Sequence, residues 1–343
     1  MAYTTIKKPS DYFNTVLYAG NGSTQSITGV NFQPDLVYVK GRNTSSKYPT
    51  IFDSVRGATK RLTTFSTNVE DTHPTMLSSF DSDGWTSGAD DQTNASGTNY
   101  VCWNWLASNT TASNTDGSIT STVSANTTSG FSIVSYTGTG SAATVGHGLG
   151  VAPKMIITKT RNTVDSWYVY HTSLGASKRL GLNAEDAAAT SSTYWNDTEP
   201  TNSVFSLNTN SGNNGSGVTM IAYCFADVKG FSKFGSYTGN GSTDGTFVYT
   251  GFKPAFVMIK VTNVSQYWTI FDNKREGYNV TGKTLFPNLS NSEGSFLPDG
   301  IDFVSNGIKF RSDATAMNAS GNTYIYMAFA ENPLVGDNPA TAR

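Results

Sequence analysis

The sequence predicts an all-β chain, built as three tandem antiparallel β-sandwich units, jelly-roll-like, of roughly 100 residues each. The first observation behind this is a repeat. Tyr18-Ala-Gly-Asn-Gly-Ser23, Tyr136-Thr-Gly-Thr-Gly-Ser141 and Tyr237-Thr-Gly-Asn-Gly-Ser242 are each followed by a Gly-rich turn region, a proline and an apolar run. The tyrosine-to-proline spacings are 16, 17 and 17 residues, ending at Pro34, Pro153 and Pro254. Self-similarity over so long a period marks three copies of one unit. The second observation is composition. Charged residues are 14% of the 343, and Ser, Thr, Asn and Gly replace them, a mix that suits short strands and polar turns rather than long helices. The third is that no 3.6-residue apolar periodicity is sustained anywhere; short apolar runs are punctuated by Gly, Asn, Asp and Pro.

The elements follow in order. Residues 1–10 form a short polar arm, a tether or a frayed end, because Lys7, Lys8 and Pro9 disfavour regular structure. The first unit spans 11–107. Its run Leu36 to Lys40 is continuously apolar up to the lysine and reads as a central strand, as do Met155 to Ile157 and Phe256 to Ile259. The closing strand Tyr100 to Leu106 alternates, which predicts one wet face. Residues 108–130 are a Ser/Thr-rich linker with one edge strand over Ser118–Val123, which is β-prone. The second unit spans 131–227. Its FDSVRGATKRL counterpart, YHTSLGASKRL, aligns with Phe52–Leu62 without a gap over Tyr170–Leu180. The third unit spans 231–333, and 334–343 is a polar tail.

Composition excludes several chemistries. A formal charge of −2 offers no basic field for nucleic acid. No run approaches the roughly 18 apolar residues of a membrane span, and the start shows no secretory signal pattern. Cys102 and Cys224 have no CxxC partner and read as buried small hydrophobes. The Tyr-x-Gly-x-Gly-Ser element lacks the helix and lysine of a phosphate loop, so its glycines read as turn formers. His73, His147 and His171 occupy three different repeat positions, without metal-ligand spacing. Asp81-Ser-Asp83-Gly84 opens like a calcium loop, but Gln92 stands where the twelfth-position Glu is needed. No carboxylate pair recurs between units, so the sequence reads as a non-enzyme with no catalytic residue, no metal and no cofactor. Aromatic pairs are the remaining binding signal. Tyr194-Trp195, taken as lying in a loop, and Trp167-Tyr168 are the candidate receptor or partner contacts, because Trp and Tyr bury area and keep a polar edge.

The start MAYTTIKKPSDYFNTVLYAGNGSTQSITGVNFQPDLVYVK, together with FDSVRGATKRL, NTDGSITSTVSANTTSGFSIVSYTGTGSAATVGHGLGVAPK and NTYIYMAFAENP, resembles a repeat family of tailed phages, notably marine and cyanobacterial ones. That family is usually labelled a tail-fibre-like or virion structural protein of unknown function. The resemblance implies a particle-surface location on the virion, after synthesis in the host cytoplasm, and partners among other virion proteins and other copies of the chain. It carries no catalytic or ligand residue. A tail fibre or receptor-binding component contacting a host-surface glycan is the leading expectation. A capsid decoration or tail adaptor protein is the alternative, and a glycan depolymerase the third.

Overall fold

The computed structural model describes residues 3–294, 300–335 and 339–341. It is all-β, with 42% of residues in strands and 5% in helices, so the turn-punctuated pattern is realised almost entirely as sheet.

A 3-10 turn, Pro9–Asp11, leads into the first unit: β1 Phe13–Ala19, β2 Gln25–Ile27, β3 Leu36–Gly41, β4 Thr50–Asp53, β5 Lys60–Thr63, β6 Asp71–Thr72, β7 Leu77–Asp81, β8 Gly84–Ser87, the single-turn α1 Asp91–Asn94, and β9 Asn99–Trp105. The second holds β10 Ala112–Asn114, β11 Ser121–Asn126, β12 Phe131–Thr137, β13 Ala143–Gly146, β14 Met155–Thr160, β15 Tyr168–His171, β16 Lys178–Gly181, β17 Ala189–Thr190, α2 Ser192–Trp195, β18 Val204–Leu207, α3 Ser211–Asn214 and β19 Thr219–Phe225. The third holds β20 Ser232–Thr238, β21 Phe247–Tyr249, β22 Phe252–Val261, β23 Thr269–Asp272, β24 Ile301–Val304, β25 Gly307–Phe310 and β26 Thr323–Pro333.

The main sheets share one strand order: β1-β9-β3-β4-β5-β6, then β12-β19-β14-β15-β16-β17 with β10-β11 added outside β12, then β20-β26-β22-β23. Small sheets β2-β8-β7, β13-β18 and β21-β25-β24 accompany them. Each small sheet shares a hydrophobic cluster with its main sheet, for example Ile27, Leu77 and Trp85 with Val37, Val39 and Cys102.

The repeated motif has a structural reason in every unit. Tyr18, Tyr136 and Tyr237 donate their hydroxyls to the carbonyls of Thr93, Asn213 and Met317 at 2.6–2.7 Å. The next residue in each turn, Asn94, Asn214 or Asn318, is fully buried. Its amide oxygen accepts from the backbone N–H of Asn21, Thr139 or Asn240. A Cβ at Gly20, Gly138 or Gly239 would collide with the carbonyl of Ala95, Gly215 or Ala319, so only glycine lets the two turns touch.

The closing strands correct the expectation of one wet face. All of β9 beyond Asn99 is buried, as is β19 beyond Thr219. Outward residues such as Cys102, Ala222 and Tyr324 face the small-sheet cores. Inward residues Val101, Trp103, Trp105, Ile221, Tyr223, Phe225, Ile325, Met327 and Phe329 enter one cluster common to all three main sheets. At its centre the equivalent residues Trp105, Phe225 and Phe329 meet, with ring centroids 6.4, 5.7 and 6.1 Å apart. The three main sheets therefore surround one pseudo-threefold axis. The cavity on that axis, about 40 Å³, is lined by side chains such as Leu36, Ile157 and Met258. The hydroxyls among its lining residues, Tyr38, Thr64 and Tyr223, are bonded within the protein.

Two further expectations change. Residues 108–130 hold two strands, β10 and β11, where one edge strand is expected, because β11 pairs with β12 and leaves its own edge for β10. The described part of the 1–10 arm is anchored: Ile6 is buried in the common core, and the Tyr3 hydroxyl donates to the Gly251 carbonyl at 2.7 Å. It straps the first unit to the third. Part of the 334–343 tail lies outside the described residues.

Removing one member of the central triad opens a cavity that all three sheets line. Trp105→Ala is expected to cost about 3–5 kcal/mol. In a thermal melt its single transition should shift down as a whole; three separate transitions would show that the common core does not couple the sheets.

Candidate functional site

The sheets meet at three junctions, and the chain builds them from equivalent residues. Lys40, Lys159 and Lys260 end the central strands, and each is fully buried. Each reaches into the next unit: Lys40 Nζ donates to Leu289 O at 3.1 Å, Lys159 to Thr67 O at 3.3 Å, and Lys260 to Glu185 O at 3.0 Å. Burial pulls their pKa values down, to about 7 for Lys40 and about 8 for Lys159 and Lys260.

Between the first and second units, Asp53 holds Arg56 and accepts from the Tyr223 hydroxyl at 2.7 Å. Arg56 reaches Glu70 at 3.3 Å, and Glu70 takes Arg161 in a bidentate pair, both bonds 2.9 Å. Burial opposes ionisation of Glu70, yet the Arg161 bonds and the Arg56 charge outweigh it and hold its carboxyl below the usual range. The third–first junction repeats the set. Asp272 holds Arg275 and accepts from Trp103 Nε1 at 3.1 Å, and Glu293 bridges Arg275 to Arg42.

The second–third junction has none of this. His171, Leu174, Ala188, Thr262 and Met327 stand at the five positions. Among these five positions the backbone bond persists: Ala188 N–H donates to Thr262 O at 2.8 Å, as Glu70 N–H does to Arg161 O. Met327 has no donor, so His171 turns Nε2 to the Tyr326 carbonyl at 3.2 Å, while its Nδ1 accepts from Ser173 N–H. These bonds fix a neutral tautomer, and burial lowers its pKa to about 4.

The sequence-derived contact candidates are not at the surface, which corrects that expectation. Trp167 is fully buried and donates Nε1 to Thr63 O at 3.0 Å. Tyr168 and Tyr194 pack together at 4.6 Å with the Arg179 guanidinium over both rings. Trp195 is 1% exposed and packs edge-on against Tyr170 at 5.9 Å. Where the sequence predicts a loop, the segment folds as α2, capped by Ser191 and ended by Asn196 in the left-handed region at φ 53°. That turn directs both rings into the sandwich core. The other candidates are also structural. Asp81 accepts from Ser79 and Thr86, and Asp83 from the Gly29 and Asn31 amides. Among the described residues no group of three His, Cys, Asp or Glu could hold a metal.

The described surface carries two open grooves of several hundred Å³. One, about 560 Å³, lies where the N-terminal strap crosses the third unit, and Tyr3, Asp227, Lys229, Lys233, Tyr249 and Gly251 line it. Lys229 Nζ sits 4.6 Å from the Tyr3 ring centre, Lys233 pairs with Asp227 at 3.2 Å, and Tyr249 is 56% exposed. Phe247, two residues before it on the edge strand β21, is also exposed. Strands β2 and β13 carry Gln25-Ser26-Ile27 and Ala143-Thr144-Val145-Gly146 instead, with no aromatic. The alternating Phe247-Val-Tyr249 was the sequence signal for this surface. The second groove, about 410 Å³, opens at the second–third junction.

Two measurements follow from this geometry. Trp195→Ala should cost about 3–5 kcal/mol of stability, as for other buried tryptophans, and leave ligand binding unchanged; a melting temperature equal to the parent's would contradict its burial. The lysines set a pH dependence. Between about pH 7 and the ordinary lysine value near 10.4, the unfolded chain binds protons that the native lysines have released, so stability rises with pH. Above about pH 10 the buried tyrosines, raised by burial, reverse the slope. Urea midpoints measured from about pH 6.5 to 9.5 should climb, and Lys40→Met should flatten the climb.

No curated protein matches the chain. A family model described as a domain of unknown function (DUF7483) matches residues 8–333 as one stretch, from the strap through the last strand. The chain, with all three main sheets inside that match, belongs to this DUF7483 family.

Proposed function

We propose that this protein is a non-enzymatic structural component of a tailed-phage particle, exposed on its surface, that contacts a host-surface glycan. The motifs shared with the tailed-phage repeat family support the particle assignment. The observation that carries the glycan reading is the groove beside Tyr249. It combines an exposed aromatic face, which stacks on a sugar ring, with paired and cation–π-held lysines that orient hydroxyls. The buried Trp167, Tyr168, Tyr194 and Trp195 have no part in it. Other virion proteins and further copies of the chain are the expected assembly partners. Among the described residues no helix is long and apolar enough to cross a membrane.

Tyr249→Ala tests this reading. Loss of an anchoring aromatic costs on the order of 2 kcal/mol, about thirtyfold in affinity. Binding to isolated host envelope should fall by that factor with the melting temperature unchanged. Unaltered envelope binding, with loss of particle stability instead, would move the protein to decoration or adaptor duty.

A further inference from the structure

We propose that the groove at the second–third junction is a separate binding site for an acidic saccharide, open because the charged network of the other two junctions is absent there. Ser173, Leu174, Lys178, Ser236, Thr262 and Thr323 are among the residues that line it. At the first–second junction the same space is filled. Arg161 lies against Ser135, the counterpart of Ser236, at 3.4 Å, and is locked there by Glu70. Thr262 and Ala188 replace that arginine and glutamate, and Leu174 replaces Arg56. The result is a trough with an apolar floor at Leu174 and hydroxyl walls.

Its chemistry selects the ligand. The Thr262 and Thr323 hydroxyls bond to each other at 2.7 Å, and with those of Ser173 and Ser236 they offer the trough both donors and acceptors, which matches a polyhydroxylated ring. Lys178 forms no ion pair among the described residues; its counterpart Lys60, likewise without one, donates to Thr72 Oγ1 at 2.8 Å, and Lys178 instead lines the open trough. A free ammonium at the edge of a hydroxyl-lined trough calls for a carboxylate on the sugar. The volume is in the range of small-ligand sites, roughly 300–1,000 Å³, and suits one or two sugar rings. The assignment stands on this groove and not on the Tyr249 surface.

Calorimetric titration of the full chain with digalacturonate, and with the uncharged disaccharide of the same linkage, tests it. Digalacturonate should bind and the neutral sugar should bind at least about tenfold more weakly, since one charge-assisted contact is worth about that factor. Lys178→Ala should cost digalacturonate the same factor. Thr262→Arg combined with Ala188→Glu rebuilds the pair found at the other junctions and should abolish binding, whereas Tyr249→Ala should leave it intact. If the double variant fails to fold, Lys178→Ala decides alone. Absence of digalacturonate binding, equal binding of the neutral sugar, or loss only on Tyr249→Ala overturns the proposal.

Discussion

Three aromatic rings, Trp105, Phe225 and Phe329, in contact on one axis are the constraint on which the rest of this structure depends. Each belongs to the closing strand at the middle of a main sheet, and each sheet turns a full apolar face toward the axis. A single unit cut from this assembly would expose Val101, Trp103, Trp105 and their neighbours to water, a patch far beyond what a soluble domain carries. The units are therefore not beads on a string. Each contributes one layer to a core that none can bury alone, and burial at about 25 cal/mol per Å² of apolar surface is what holds the three sheets together. The match of one family model across residues 8–333 agrees with a chain that folds as a whole.

Around that axis the charges obey an all-or-none rule. Asp53 and Arg56 are both fully inaccessible, as are Asp272 and Arg275. Such groups survive burial only when every partner is present, because a stranded charge in a low-dielectric interior costs several kcal/mol. At two junctions the set is complete, from the tryptophan or tyrosine donor through two arginines and a glutamate. At the third every member is gone at once: donor to Met327, acceptor to His171, arginines to Leu174 and Thr262, glutamate to Ala188. The neutral His171, bonded at both ring nitrogens, is what remains acceptable where the neighbouring strand offers a carbonyl in place of a donor.

The two grooves lie where this pseudo-symmetry breaks. The groove at the second–third junction exists because the arginine and glutamate that fill its counterpart are missing. The Tyr249 groove forms where β21 carries aromatics that its counterparts β2 and β13 lack, and where the N-terminal strap lays Tyr3 beside them. A rigid common core with variation confined to junctions and edges is a scaffold on which recognition can change without loss of the fold.

By itself the sequence determined the repeat, the all-β class, the three buried central strands and the turn role of the glycines. Local pattern suffices for these: alternation and apolar runs select strands, and a turn that approaches another backbone admits only glycine. The change from Arg56 to Leu174 was visible in the aligned FDSVRGATKRL and YHTSLGASKRL, but its meaning was not. Only the tertiary structure decided which face of each aromatic strand is dry. Trp195 looked like a surface residue because polar neighbours flank it, yet α2 turns it inward. Closing strands that alternate read as half-wet, yet their second face meets the small sheet while the first meets the axis. The reason is physical: a sequence states which residues avoid water but not what covers them, and here the cover comes from a small sheet or turn of the same unit on one side and from the other units on the axial side.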